Sequence, residues 1–154
     1  MIKYKEIKNF STDQLFHLFN SVEWIKPSSQ KPVFNNNTDC IANHTLYIDQ
    51  EDQRGIIEKS FLNSTFVASA WEKEKLVGVV RVISDCVQRS IIYDLAVSPD
   101  YQGRGIGKEL LQRCLKKFPK TQFTLGTSSK NFDFYRKFGF KNSSNYLEKE
   151  SSYF

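Results

Sequence analysis

The stretch Ile91–Phe118, IIYDLAVSPDYQGRGIGKELLQRCLKKF, decides how the rest of the chain must fold. Ile91 to Val97 is apolar and β-prone and is closed by the breaker pair Ser98-Pro99. Gln102-Gly103-Arg104-Gly105-Ile106-Gly107 follows. Beyond it Ile106, Leu110, Cys114 and Phe118 recur every four residues, and Leu111 and Leu115 widen the stripe. Pro119 stops the pattern. The order predicts a strand, a short turn, a glycine loop and an amphipathic helix.

A strand that empties into glycines at a helix start is suited to a phosphate. The first helical N–H groups have no intrahelical partner, and the macrodipole adds roughly half a positive charge there. Glycine lets the backbone approach an anion closely because no Cβ intervenes. A Walker loop does not fit, since Gln102 stands where its first Gly should be and Glu109 where its Ser or Thr should be. The dinucleotide fingerprint does not fit either, because its third Gly would arrive one residue early, at Gly107. What matches is Gln-x-x-Gly-x-Gly (Gln102, Gly105, Gly107) behind a strand ending Ala-Val-x-Pro. This resembles motif A of the GNAT superfamily of acetyl-CoA-dependent N-acetyltransferases.

Composition bounds the remaining classes. A chain of 154 residues, 40% apolar and 25% charged, fits a single domain over 1–154 with a core that needs no staples. No window approaches the ~18 apolar residues of a membrane span, and MIKYKEIKNF lacks the apolar run of a signal peptide. Cys40, Cys86 and Cys114 are odd in number and widely spaced, which fits reduced thiols better than a disulfide framework or a zinc site. Asn36, Asn43, Asn63 and Asn142 head sequons that read as accidents of an Asn- and Ser-rich chain. No metal and a cytoplasmic location are expected.

The net charge of +5 is concentrated: residues 1–50 balance five Lys/Arg against five Asp/Glu, 51–100 hold six against eight, and 101–154 hold eleven against four, net +7. A basic field that begins at the glycine loop suits a polyphosphate ligand such as coenzyme A. The alternative is a solvated basic surface with nucleic-acid affinity, which no nucleic-acid module in the sequence supports.

Along the chain, Ile2–Ile7 alternates weakly and reads as an edge or second strand. Ser11 and Gln14 form a capping box ahead of an apolar helix face of Leu15, Phe16, Leu18, Phe19 and Val22. Pro27 forbids further helix, and 26–50 reads as loop with a short strand within His44–Ile48. Asp52–Leu62 reads as a helix with Ile56, Ile57, Phe61 and Leu62 inward. Thr65–Trp71 and Leu76–Ile83 form a hairpin across Glu72-Lys73-Glu74-Lys75. Arg89–Val97 and Gln122–Gly126 are further strands, Asn131–Phe138 is a short helix ended by Gly139, and Tyr146–Phe154 suggests a last strand or hairpin. The fold class is therefore α/β (α+β), with a mixed, mostly antiparallel sheet flanked by helices.

That order is also the GNAT order. Phe134-Tyr135-Arg136-Lys137-Phe138-Gly139-Phe140 resembles the family's second motif, Phe-Tyr-x-Lys-x-Gly-Phe, so two motifs stand in the right order and spacing. The resemblance implies acetyl-CoA as co-substrate, an amine acceptor and the GNAT acyltransferase fold; direct transfer in a ternary complex is expected because no Cys or Ser sits in a nucleophile setting. It implies cofactor contacts from the loop residues Gln102, Gly103, Arg104, Gly105, Ile106, Gly107 and Lys108, and from the backbone of Leu95, Ala96 and Val97. It also implies that Tyr135 is the general acid that protonates the departing thiolate. Ser128 stands where many relatives carry Asn. Asp94, on the central strand, is read either as a cation-binding group or base, or as a structural carboxylate, with Tyr93 on the opposite face of that strand. Glu23 and Trp24 fall where relatives place amine-binding groups, against a reading as rim packing. His17 and His44 lack ligand partners. The first reading is a small primary amine such as an aralkylamine or polyamine. Behind it stand a protein N-terminus or Lys, and a non-catalytic coenzyme A module; a homodimer is compatible with all of these.

Overall fold

The computed structural model describes residues 1–26, 46–47 and 52–143. The expected terminal strand at Tyr146–Phe154 and most of the 26–50 segment, including His44, lie outside these residues. The elements are β1 (Ile2–Lys5), α1 (Thr12–Ser21), β2 (Ile25–Lys26), β3 (Leu46–Tyr47), α2 (Asp52–Leu62), β4 (Phe66–Glu72), β5 (Lys75–Ser84), β6 (Arg89–Val97), α3 (Ile106–Lys117), β7 (Gln122–Leu125) and α4 (Phe132–Arg136).

The main sheet has five strands in the order β1-β4-β5-β6-β7. β1/β4, β4/β5 and β5/β6 are antiparallel, whereas β6/β7 is parallel because α3 carries the chain back across the sheet. β2 and β3 make a separate two-residue parallel pair. β4 is buried on both faces along nearly its whole length, which explains the apolar run from Phe66 to Trp71, broken only by Ser69.

Two apolar layers sandwich the sheet. On one face Ile106, Leu110, Leu111 and Cys114 of α3 pack on Val80, Val82 and Ile92, and Tyr135 of α4 joins them. On the other face Leu15, Leu18 and Phe19 of α1 and Ile57 and Phe61 of α2 cover Val67, Trp71, Val79 and Ala96. The α1 cap forms as the sequence predicts: Gln14 N–H donates to Ser11 Oγ at 3.3 Å and Ser11 N–H to Gln14 Oε1 at 3.1 Å.

Three local readings change. Ile56 and Leu62 are 42% and 44% exposed, because the buried stripe of α2 is only as wide as Ile57 and Phe61, four residues apart. The hairpin turn shortens to Lys73-Glu74, with Glu72 paired to Lys75 and Lys73 at φ 54°. The Asn131–Phe138 helix is a 3-10 turn at Ser129–Asn131 followed by only five α-helical residues. Gly139 then leaves with φ 86°, as its position after the helix requires.

Gly78 fixes where α3 lies. A Cβ there would meet Ile106 Cγ2 at 3.1 Å, Leu110 Cδ1 at 3.2 Å and the Ala96 carbonyl oxygen at 3.3 Å. The helix thus rests directly on β5 backbone. Gly78→Ala is expected to lower folding stability by about 1–3 kcal/mol, read as a reduced denaturation midpoint with unchanged m-value. A midpoint equal to the parent's would show that α3 shifts without cost.

Candidate active site

Two features created by the fold meet at the carboxyl end of β6. The first is the start of α3. Ser98, Pro99 and Tyr101 make a 3-10 turn in which Tyr101 N–H donates to the Ser98 carbonyl at 2.8 Å. Gln102 Nε2 then reaches back to the Val97 carbonyl at 3.0 Å and ties the loop to the strand. Gly103 and Gly105 have φ of 73° and 80°, left-handed values that disfavour any side chain. Gly105 is the N-cap of α3 and supplies no side-chain acceptor, so no cap covers the first-turn amides of Ile106, Gly107 and Lys108. Arg104 is exposed and lays its guanidinium 5.0 Å from the centre of the Tyr101 ring. Tyr101 is in turn pinned by its hydroxyl, which donates to Glu72 Oε2 at 2.7 Å. That hydrogen bond holds the Glu72 carboxyl below its usual range and pushes the Tyr101 phenol up.

The second feature is a divergence of strands. β7 pairs with β6 only from Arg89–Gln122 to Ile92–Leu125. From Tyr93 to Val97, β6 continues along β5 with no strand on its other edge among the described residues. A cleft opens there, lined by Trp24, Ile92, Tyr93, Leu95, Leu125, Gly126, Thr127, Asn131 and Tyr135. Leu95 and Val97 are half-buried against the α3 layer, while Ala96 points the other way and is fully covered. Gly107 faces the same corridor: a Cβ there would lie 3.7 Å from both Val97 Cγ2 and Phe134 Cζ.

Tyr135 sits at the closed end of the cleft, 9% exposed, with its ring edge-on to Phe134 at 5.0 Å and Phe140 at 5.8 Å. Burial pushes its phenol up to about 12, and a hydrogen bond with the Thr127 side chain offsets part of that rise. Asn131 Nδ2 donates to Thr127 Oγ1 at 3.1 Å, so the two form a short polar relay beside the phenol. The sequence signals neither role: Thr127 falls between the expected strand and helix, and Asn131 reads only as the first residue of that helix. Ser128, the position compared with Asn in relatives, instead caps the 3-10 turn, its Oγ accepting from Lys130 N–H at 3.3 Å.

Of the residues expected on the acceptor side, the fold brings Trp24 and Tyr93 to the cleft. Trp24 follows a helix exit in which Glu23 adopts φ 59° and Trp24 N–H donates to the Phe19 carbonyl at 3.0 Å. Its ring packs 5.4 Å from that of Phe19. Glu23 is exposed on that turn and does not line the cleft. Asp94 does not line it either: its carboxylate is ion-paired to Arg81. Tyr93 is not set on the opposite side from Asp94 as simple alternation requires. Arg81 pairs with Asp94 and Val82 with Ile92, which leaves Tyr93 as the extra residue of a β-bulge. His17 is exposed on α1. No cluster of metal-ligating side chains occurs among the described residues, and none of their helices is long and apolar enough to cross a membrane.

Comparison with known proteins agrees with this geometry. The family model for the acetyltransferase (GNAT) domain matches residues 38–154. An uncharacterized N-acetyltransferase ycf52 from Pyropia yezoensis is 28% identical over 147 residues, covering 90% of this chain and 72% of that one. The histone acetyltransferase TAP1 of Glycine max is 34% identical over 73 residues, 46% of this chain but 32% of the soybean protein. The chain therefore spans about a third of that relative. In fold it is similar to the PaiA N-acetyltransferase of Thermoplasma acidophilum, solved in complex with coenzyme A, with a TM-score of 0.66 at 17% identity over 94% of this chain and 92% of the other. With both motifs in place, a mixed sheet that splits after Ile92 and a family match over most of its length, the chain belongs to the GNAT family of acetyltransferases.

Proposed function

We propose that this acetyltransferase carries the acetyl group of acetyl-CoA directly to a primary amine in a ternary complex. The observation that carries the reading is the meeting of an uncapped helix start with a β6 edge that has no partner strand among the described residues and leads to a buried tyrosine. The amides of Ile106, Gly107 and Lys108, with Gln102, Gly103, Arg104 and Gly105 around them, are suited to a pyrophosphate. The edge of Leu95, Ala96 and Val97 offers backbone N–H and C=O groups to an extended amide-bearing arm, as another strand would. The thioester at the end of that arm would then lie beside Tyr135.

The chemistry follows from the leaving group. The amine attacks the thioester carbonyl, the tetrahedral oxyanion collapses, and the C–S bond breaks with its electron pair on sulfur. An exposed thiol has a pKa of about 8.5, well below a phenol raised to about 12, so proton transfer to a solvated thiolate would be uphill. Desolvation narrows the mismatch. The core thiol of Cys114, in the same layer as Tyr135, is itself pushed up to about 12 by burial. A thiolate expelled beside Tyr135, away from bulk water, is raised in the same direction, and the Tyr135 phenol serves as general acid. Cys114 is core packing and has no access to the reaction. Among the described residues, no carboxylate or imidazole lines the cleft to remove the ammonium proton.

A small amine is the first choice of acceptor, with the aromatic rings of Trp24 and Tyr93 lining the cleft. A protein amine is the second reading, favoured by the name of the soybean relative. A cytoplasmic setting accords with the free thiols at Cys86 and Cys114.

Two substitutions test the assignments. Gly107→Ala adds a methyl that the fold accepts at ordinary contact distance but that intrudes between Val97 and Phe134. It is expected to weaken acetyl-CoA binding about tenfold, about 1.4 kcal/mol, with the melting temperature unchanged. Equal calorimetric affinity would remove the loop from the cofactor site.

Tyr135→Phe keeps the ring and deletes the donor. Turnover is expected to fall by roughly 10²–10⁴ with acetyl-CoA affinity held. A phenol at about 12 stays protonated through the ordinary alkaline range, so the parent's turnover should show no loss attributable to Tyr135 below about that pH. Full activity in the variant, measured as thiol release, would assign the proton to another donor.

A further inference from the structure

The Arg81 guanidinium occupies an unusual position for a cation within a sheet. Its Nε is bonded to Asp94 Oδ2, and the two side chains are only 14% and 13% exposed. Its planar face is flanked by two rings, with the centre of Phe61 at 5.5 Å and that of Tyr93 at 5.1 Å. Phe61 belongs to the buried face of α2 and is itself 1% exposed, so that side of the arrangement is rigid. Tyr93 is the bulged residue of β6, 44% exposed, and lines the same cleft as Tyr135. A bulged residue lacks a ladder partner to fix it, and an exposed aromatic ring has rotamer freedom to lose. A guanidinium stacked beneath it supplies the missing support.

We infer that Arg81 is a positioning residue for the acceptor side of the cleft: it is held by Asp94 and braced on Phe61, and it fixes the ring of Tyr93 as the wall against which the acceptor amine is placed. The inference rests on the acetyl-transfer reading above and deepens it. Asp94 takes a defined part in this arrangement. Its charge is spent on Arg81, so it anchors the positioning residue and is not the base that deprotonates the amine. The pair is close to neutral as a unit, and it presents the acceptor with an aromatic surface in place of a free carboxylate.

The arrangement separates binding of one substrate from the chemistry and from binding of the other. Arg81 and Asp94 lie on the α1/α2 side of β5 and β6, whereas the phosphate loop and the β6 edge belong to the α3 side. Loss of Arg81 should thus raise KM for the amine and spare acetyl-CoA. A lone Asp94 left in its place would be a buried unpaired charge and would destabilise the fold. The informative variant is therefore the double replacement Arg81→Met with Asp94→Leu, which removes both charges and keeps the volume.

The test uses the whole chain and thiol release from acetyl-CoA, with 2-phenylethylamine, spermidine and a tripeptide bearing a free N-terminus as acceptors. With the best acceptor of the three, the double variant is expected to keep kcat within about threefold of the parent while the acceptor KM rises about tenfold. Its affinity for coenzyme A, measured by calorimetry, is expected to stay the same. Tyr93→Ala should reproduce that rise in acceptor KM, and Tyr93→Phe, which retains the ring, should not. A fall in kcat of a hundredfold or more in the double variant would make Asp94 the base and overturn the inference. An unchanged acceptor KM in the double variant would overturn it as well, leaving the pair a structural contact. If the parent released no thiol with any of the three amines, while still binding coenzyme A, the amine reading itself would fall and take this inference with it.

Discussion

The contact between α3 and the backbone of β5 at Gly78 is the constraint on which the site depends. Because no side chain stands at that position, Ile106 and Leu110 sit against the strand itself, within reach of the Ala96 carbonyl of the next strand. The helix start is thereby brought level with the end of β6, and the left-handed glycines of the loop join two elements already in place. A larger residue would raise the helix off the sheet and carry the first-turn amides away from the strand edge. The anion site is built by packing as much as by its own glycines.

The other half of the site follows from a strand pairing that stops. β6 runs nine residues and β7 only four, and their ladder covers the first four positions of β6. What would be an edge liability in another protein is here the floor of a cleft closed at one end by α4. Tyr135 reaches that end because a five-residue helix, started by a 3-10 turn and stopped by Gly139, is too short to carry it past. The burial that makes its phenol hard to ionise extends its range as a donor further into alkaline pH.

Much of this was legible in residue order. The glycine loop, the four-residue stripe of α3, the Ser11–Gln14 cap and the hairpin between β4 and β5 each carry a local signal, and each appears with bounds close to those expected. What escaped was every feature that needs two distant segments at once. Gly78 reads as an ordinary strand glycine until α3 is laid on it. Alternation assigns Tyr93 and Asp94 to opposite faces, and only the slipped register against Arg81 shows that both contact one guanidinium. Thr127 reads as a loop residue and Asn131 as a helix start, and they become the polar neighbours of Tyr135 only when β7 and α4 converge. Ile56 and Leu62 fail for a related reason, since periodicity gives a helix face but not its width.

The parallel register of β6 and β7 also bears on the order in which the molecule assembles. The strands from β4 to β6 are joined by short reversals and can close with little loss of chain entropy. The β6/β7 ladder instead spans sequence separations such as Arg89 to Gln122, with the glycine loop and all of α3 enclosed between them. Contacts of that range are the slow ones in a folding reaction. A chain caught before this step would own the β4–β5–β6 meander, yet neither cleft wall nor seated tyrosine. The active site thus forms only with long-range pairing, as does the β1/β4 ladder that joins Ile2 to Glu72.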